Sequence, residues 1–187
     1  NHCIKRGQLY EDAEHHNCVF VGYKNGKPTY GALRGTLSEN TFAGEVPGSD
    51  KRFSFAVPLC AGGKTLCVFE AAIDALSYLT LLKLRGKNWR TANTLSLSGI
   101  YQPRKDGSIR LPAALEQYLK DNPGVERIVL CLDNDTPGRA ASEAIQRQLS
   151  AYEVIDNPPR SGKDYNDQLR LVKGISGKVR TRGGEAR

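Results

Sequence analysis

Two short apolar runs in this chain end in acid. TLCVF (65–69) runs into Glu70, and RIVLCL (127–132) runs into Asp133-Asn134-Asp135. Asp133 and Asp135 are two positions apart, so on extended backbone their side chains face the same way. In an open α/β sheet the ligand site lies beyond the carboxyl ends of the strands. If the two runs are parallel strands of one sheet, three carboxylates gather on one edge. Clustered carboxylates repel and raise one another's pKa unless a cation neutralises them. A hard divalent cation, Mg²⁺ or Mn²⁺, takes oxygen ligands and keeps some of its waters. It then offers Lewis-acid stabilisation to a phosphoryl oxygen, and a remaining carboxylate serves as general acid or base.

Further polar residues fall near the same edge. Asp74 lies one helical turn beyond Glu70 and faces either the same site or solvent. Arg139 opens the helix after the aspartates, where a helix N-terminus and a cation together attract phosphate. Lys163 follows the last strand and is a candidate phosphate contact. Asp164 is either a further metal ligand or, as its position favours, the N-cap of its helix. Each acid also has an ordinary structural reading as a helix cap. Two strands that end in acid and open helices within one domain weaken that reading.

These residues need a scaffold, and the hydrophobic pattern supplies one. Residues 65–69 are continuously apolar, as a buried parallel strand should be. Residues 71–85 carry apolar residues at helical spacing and stop at Gly86. Residues 93–97 read as a strand, 111–121 as a helix with Pro112 in its first turn, and 127–132 as a second apolar strand. A helix follows over 137–150, then a short strand at 152–155 and a short helix at 164–172. Alternation of strand and helix is the signature of a parallel sheet with helical crossovers. Before it, residues 17–24 and 29–36 read as a β-hairpin around Asn25-Gly26-Lys27-Pro28, and 53–57 as a third strand closed by Pro58. Three parts are expected: a hairpin module over 1–60, an α/β domain over 61–170, and a basic, disordered tail over 171–187.

Composition bounds the rest. The chain has 187 residues, 39% hydrophobic and 25% charged, which suits a globular core. No apolar run reaches the 18 residues of a membrane span, and no signal segment opens the sequence. The five cysteines lack paired spacing, which suggests a reducing, cytoplasmic setting. The absence of Met, even at position 1, reads as a piece of something longer. The net charge is +7. Lys87, Arg90, Arg104 and Lys105 lie in a basic stretch with Trp89 and Tyr101, a mixture that suits a phosphate backbone and stacked bases. The alternative reading of the same stretch is a solvated basic face; DNA, RNA or nucleotides are the expected partners.

The strings CVFEAAIDALS, SLSG and IVLCLDNDTPGRAA resemble the motifs of the Toprim domain, shared by primases, topoisomerases and some nucleases. The resemblance implies a Rossmann-like α/β fold. It places the family glutamate on Glu70 and the DxD pair on Asp133 and Asp135. It also implies Mg²⁺ ligation by all three, with Glu70 as general acid or base. GKDYNDQL (162–169) is similar to a segment of Toprim domains in mobile-element proteins. CVFVGYKNGKP, ALRGT and PGSDKRFSF resemble a module that often precedes such domains in proteins of conjugative elements. Together the resemblance covers most of residues 9–170. It implies metal-dependent phosphodiester chemistry, either primase-like synthesis or cleavage, alongside other parts of a DNA-processing machinery. One departure is Ala71, where many members have Gly.

Rival readings remain open at this point. LCLDNDT fits the start of a haloacid-dehalogenase phosphatase, with Asp133 as nucleophile, but that family needs more chain after the motif and leaves Glu70 unexplained. A non-catalytic Toprim-like module that binds DNA or a protein is the second. Gly63-Lys64-Thr65 imitates a P-loop end but precedes a strand and has Pro58 where the first Gly belongs. DNDTPG imitates a calcium loop, but Pro137 replaces an oxygen ligand. Cys3, His15, His16 and Cys18 match no standard zinc spacing.

Overall fold

The structure is a computed structural model that describes residues 2–36, 42–58, 61–99 and 111–175. Two sheets organise the chain. The N-terminal four-stranded sheet is antiparallel, in the order β1 (Leu9–Glu11), β2 (Cys18–Lys24), β3 (Lys27–Arg34), β4 (Ala43–Glu45), after a short helix α1 (His2–Lys5). The second sheet has five strands in the order β5 (Ala56–Val57), β7 (Asn93–Ser96), β6 (Thr65–Phe69), β8 (Arg127–Leu130), β9 (Glu153–Asp156). Strands β7, β6, β8 and β9 are parallel, and β5 closes one edge antiparallel to β7. Helices α2 (Ala72–Leu84), α3 (Ala113–Asp121), α4 (Thr136–Gln148) and α5 (Tyr165–Val172) complete it.

The α/β architecture with a parallel sheet is thus the expected one, and its period explains the layering. Leu66 and Val68 point to one face of β6, where they pack with Leu115 and Leu119 of α3 and Ala141 and Ile145 of α4. Cys67 and Phe69 point to the other, against Ala75 and Leu81 of α2 and Tyr165 of α5. Both faces of the central strands are covered, so the run is apolar throughout. Cys67 and Cys131 are free and buried in this layer, as small apolar side chains are. Among the described residues no helix is long and apolar enough to cross a membrane.

Two local expectations change. The hairpin turn is two residues long, not four. Asn25 and Gly26 take φ of 50° and 76°, and Lys27 and Pro28 already belong to β3. Left-handed φ at both central positions matches the strand twist and suits Asn-Gly. The expected strand over 53–57 is divided. Asp50 accepts the Arg52 N–H and caps a 3₁₀ turn, Lys51–Phe53, and only Ala56 and Val57 are extended. Those two pair with β7 of the second sheet rather than with the hairpin. Helix α5, Tyr165–Val172, matches the helix expected over 164–172, and 176–187 lie outside the described residues. Helix α1 and strands β1 and β4 were not expected. They are three or four residues long, too short for a period to register.

The segment from Lys51 to Val57 bolts the two sheets together. Phe55 is fully buried, with its ring edge-on to Phe20 of β2 at 5.5 Å. Cys3, Val57 and Ala72 share that core. The Gln8 side-chain amide donates to the Ala56 carbonyl at 2.7 Å. Gly22 permits the approach, since a Cβ there would stand 1.8 Å from the Phe53 carbonyl oxygen. Gly22→Ala must therefore push two backbones apart, costing about 3 kcal/mol, the upper end of overpacking. Denaturant titration should show a lower midpoint for that variant. An unchanged midpoint means the two sheets are not bolted at this point.

Candidate active site

Strand β6 leads to β7 on one side, and β8 leads to β9 on the other. The carboxyl ends of β6 and β8 therefore flank the point where the winding direction reverses. Adjacent connections part there and leave a crevice. Glu70 follows β6, and Asp133 lies three residues past the end of β8, at this reversal. Glu70 Oε1 accepts the backbone N–H of Asp133 at 3.2 Å. The isolated acid and the aspartate pair thus meet on one rim, although 63 positions separate them.

Glu70 does not cap the helix it precedes. The N-cap of α2 is Ala71, extended and with no side-chain cap bond. Its φ of −124° is open to any L-residue, so a methyl group there adds no backbone strain. The aspartates divide their work. Asp135 Oδ1 caps α4 by accepting the Gly138 N–H at 2.9 Å. Lys163 Nζ lies 2.9 Å from Asp133 Oδ2 and 3.3 Å from Asp135 Oδ2. The loop that carries Lys163 is held by its own carbonyl, which accepts the Asn134 N–H at 2.7 Å.

Arg139 already has acceptors for its nitrogens. Nε donates to the Asp133 carbonyl at 3.1 Å, Nη2 to the Leu132 carbonyl at 3.0 Å, and Nη1 pairs with Asp156 Oδ2 at 2.5 Å. It clamps the end of the aspartate strand. Gly138 is a residue that sequence reasoning missed. A Cβ there would meet the Asp133 carbonyl at 2.2 Å and Glu70 Oε1 at 2.9 Å, so only glycine lets α4 begin this close to the acids. The Pro-Gly after the aspartates carried that signal.

Asp74 faces inward and is 4% exposed, with Oδ1 accepting the Asn166 N–H at 3.1 Å. It ties the first turn of α2 to the first turn of α5. Asp164 caps α5, its Oδ1 accepting the Asp167 N–H at 2.7 Å. Lys87 and Arg90 are not brought to this rim. They follow the far end of α2, a helix about 20 Å long, where the Arg90 guanidinium stacks 4.7 Å from the Trp89 ring. Arg104 and Lys105 lie outside the described residues.

The rim is short of positive charge. Burial, and then the Asp133 charge, push the Glu70 carboxyl up to about 7. Burial raises Asp133 as well, and the Lys163 bond only partly offsets it. Burial and the Asp164 charge raise Asp74 well above the usual carboxylate range. Burial also raises Asp164, against the bond from the Asp167 N–H. At Lys163, burial works against the charge, but the bonds and charges of Asp133 and Asp135 outweigh it and hold the ammonium above its ordinary range. The pairing is lopsided: the lysine gains its full partner, whereas one lysine serves several acids.

A family profile described as Toprim-like matches residues 67–169. The chain belongs to the Toprim-like family. A second profile, a protein of unknown function designated DUF3991, matches residues 1–59. No curated protein sequence matches the chain. Among solved structures, the fold is similar to the primase fragment of the bacteriophage T7 primase-helicase, with a TM-score of 0.60 at 20% identity over 92% of this chain. The chain spans 64% of that fragment's length. It is also similar to a chain of a bacteriophage T7 complex, lagging-strand DNA polymerase interacting with primase domains bound to an RNA/DNA hybrid and dTTP. The TM-score is 0.58 at 19% identity, over 92% of this chain and 79% of that one. The zinc-binding and RNA polymerase domains of Aquifex aeolicus primase match with a TM-score of 0.52 at 15% identity, over 92% of this chain and 44% of that one.

Toprim domains typically bind Mg²⁺. The residues here fit such an ion in kind. Every donor is a hard carboxylate oxygen, and burial, followed by the charges of neighbouring acids, raises Glu70 and Asp133. Among the described residues no three His, Cys, Asp or Glu side chains already stand as a ligating group. Lys163 holds the two aspartate oxygens instead. Toprim-like membership and the Glu70 contact also account for LCLDNDT without a phosphatase of the haloacid-dehalogenase type.

The Glu70 shift sets a pH dependence. Its pKa rises from 4.5 to about 7 on folding, so the folded chain binds more protons across that window. Stability is then present in full below about 4.5 and falls as pH rises through 7, by on the order of 3 kcal/mol from this group. Glu70→Gln should flatten the fall and raise the melting temperature at pH 8. A variant whose pH profile matches the parent would show that Glu70 is not charge-stressed.

Proposed function

We propose that this chain is a Toprim catalytic domain that performs divalent-metal-dependent phosphodiester chemistry on nucleic acid, as primase-like nucleotidyl transfer or strand cleavage. The observation that carries the reading is the Glu70–Asp133 contact. It sets an acid with a pKa near neutrality against an aspartate pair at the switch point of the sheet. When bound, Mg²⁺ or Mn²⁺ supplies charge neutralisation and Lewis-acid stabilisation to a phosphoryl oxygen. Glu70, Asp133 and Asp135 are the residues to hold it. One Glu70 oxygen accepts from Asp133, which leaves the other to take or give a proton near neutral pH. Lys163 supplies a cation for a phosphate, and Arg139 keeps the aspartate strand end in place. Similarity to primase structures, one bound to an RNA/DNA hybrid and dTTP, supports nucleic acid as substrate.

A second reading is a non-catalytic Toprim-like module. The observation in its favour is the Lys163 ammonium, which already bridges Asp133 and Asp135. One assay separates the two: nucleotide incorporation and strand cleavage on single-stranded DNA, with and without Mn²⁺. Glu70→Gln should cost about 10²–10⁴-fold in rate, while DNA affinity and its salt dependence persist. Full activity in Glu70→Gln refutes the catalytic assignment. DNA affinity with no metal-dependent turnover in the parent supports the module.

A further inference from the structure

A cleft opens where the N-terminal sheet faces the acidic rim. It has a volume of about 320 Å³, near the lower end of small-molecule sites at about 300–1,000 Å³. That size suits one ring-and-sugar unit rather than a run of strand. One wall comes from β3 and β4 through Ala32, Arg34 and Ala43. The opposite wall comes from Ala71, Ile73 and Gly99, just past the ends of β6 and β7. Apolar walls on two sides desolvate the faces of a flat ring. The remaining lining includes the hydroxyls of Tyr30, Ser96 and Ser98. Their protons are already engaged inside the protein, so what they offer the edge of a base or the hydroxyls of a sugar is acceptor lone pairs.

The cleft is tied directly to the acids. The Gly99 N–H donates to the Glu70 carbonyl at 3.0 Å, and Ser96 Oγ to the same carbonyl at 3.3 Å. Ser98 takes a φ of 60°, a strained backbone for a serine. Its hydroxyl is held by Ser54 and by Tyr30. Tyr30 also donates to Glu45 at 3.3 Å. Hydroxyl contacts from the N-terminal module thus hold the SLSG turn in a costly shape beside Glu70. Arg34 is exposed and has no ion-pair partner among the described residues.

We propose that this cleft seats the nucleoside of a nucleotide whose phosphates lie at Glu70, Asp133 and Asp135. The inference rests on the phosphodiester reading for the position of the phosphates. The cleft itself rests on its walls and hydroxyls. The N-terminal module then forms half of the substrate site, because its strands β3 and β4 make one of the two opposing walls of the cleft.

Calorimetric titration of the full chain with Mn²⁺ present tests it, comparing a nucleoside triphosphate with inorganic tripolyphosphate. The nucleotide should bind at least ten-fold more tightly, an advantage due to the nucleoside alone. Ala43→Trp, at an exposed position on the cleft wall, should erase that advantage and leave tripolyphosphate and Mn²⁺ affinity unchanged. Equal affinities in the parent protein overturn the proposal without any variant. An undiminished advantage in Ala43→Trp overturns it as well. If Glu70→Gln and Asp133→Asn leave Mn²⁺ affinity intact while Ala43→Trp erases the nucleoside advantage, the cleft stands and the carboxylate reading falls.

Discussion

The hydrogen bond from the Asp133 backbone to Glu70 Oε1 is the interaction around which the site is arranged. It joins the carboxyl ends of two neighbouring parallel strands at the place where the winding reverses. A buried carboxylate is costly without compensation. Three amide bonds and one partly exposed lysine do not compensate Glu70, Asp133, Asp74 and Asp164 together, and all four are pushed toward the protonated form. That stress is what a divalent cation would relieve.

The surroundings hold the stress in place. Arg139 binds two strand-end carbonyls and Asp156, so the aspartates cannot retreat by rotating their backbone. Gly138 lets α4 start within reach of Glu70, and Asp135 caps that start. Asp74 fastens α5 to α2 through the Asn166 amide, while Asn134 fixes the Lys163 loop. Much of the chain's basic excess lies elsewhere. Lys87 and Arg90 sit beyond the opposite end of α2, beside Trp89, so they cannot share a small ligand with Glu70.

The two sheets are structurally interdependent. Phe55 lies beneath Phe20, and the strand that follows it pairs with β7. The same connection carries Ser54, whose hydroxyl meets Ser98 at the acidic rim. A shift of the N-terminal sheet would therefore move the turn that abuts Glu70. The matches to two separate profiles divide the chain by sequence, but the packing unites the two segments over one site.

The amino-acid sequence determined the order and type of the main elements of the α/β domain. Strand and helix periods are local, and continuous apolar runs of five or six residues mark strands buried on both faces. The acids at the ends of two such runs, Glu70 and Asp133–Asp135, were legible for the same reason, as was Asp164 as a cap. Tertiary structure alone decided the rest. Sheet order placed β6 beside β8. Packing turned Asp74 inward and committed Arg139 to Asp156 rather than leaving it free. It also moved Ala56 and Val57 into the second sheet. Such outcomes depend on partners 17 to 92 positions away in the chain, and no local pattern records which distant group will fill a given space.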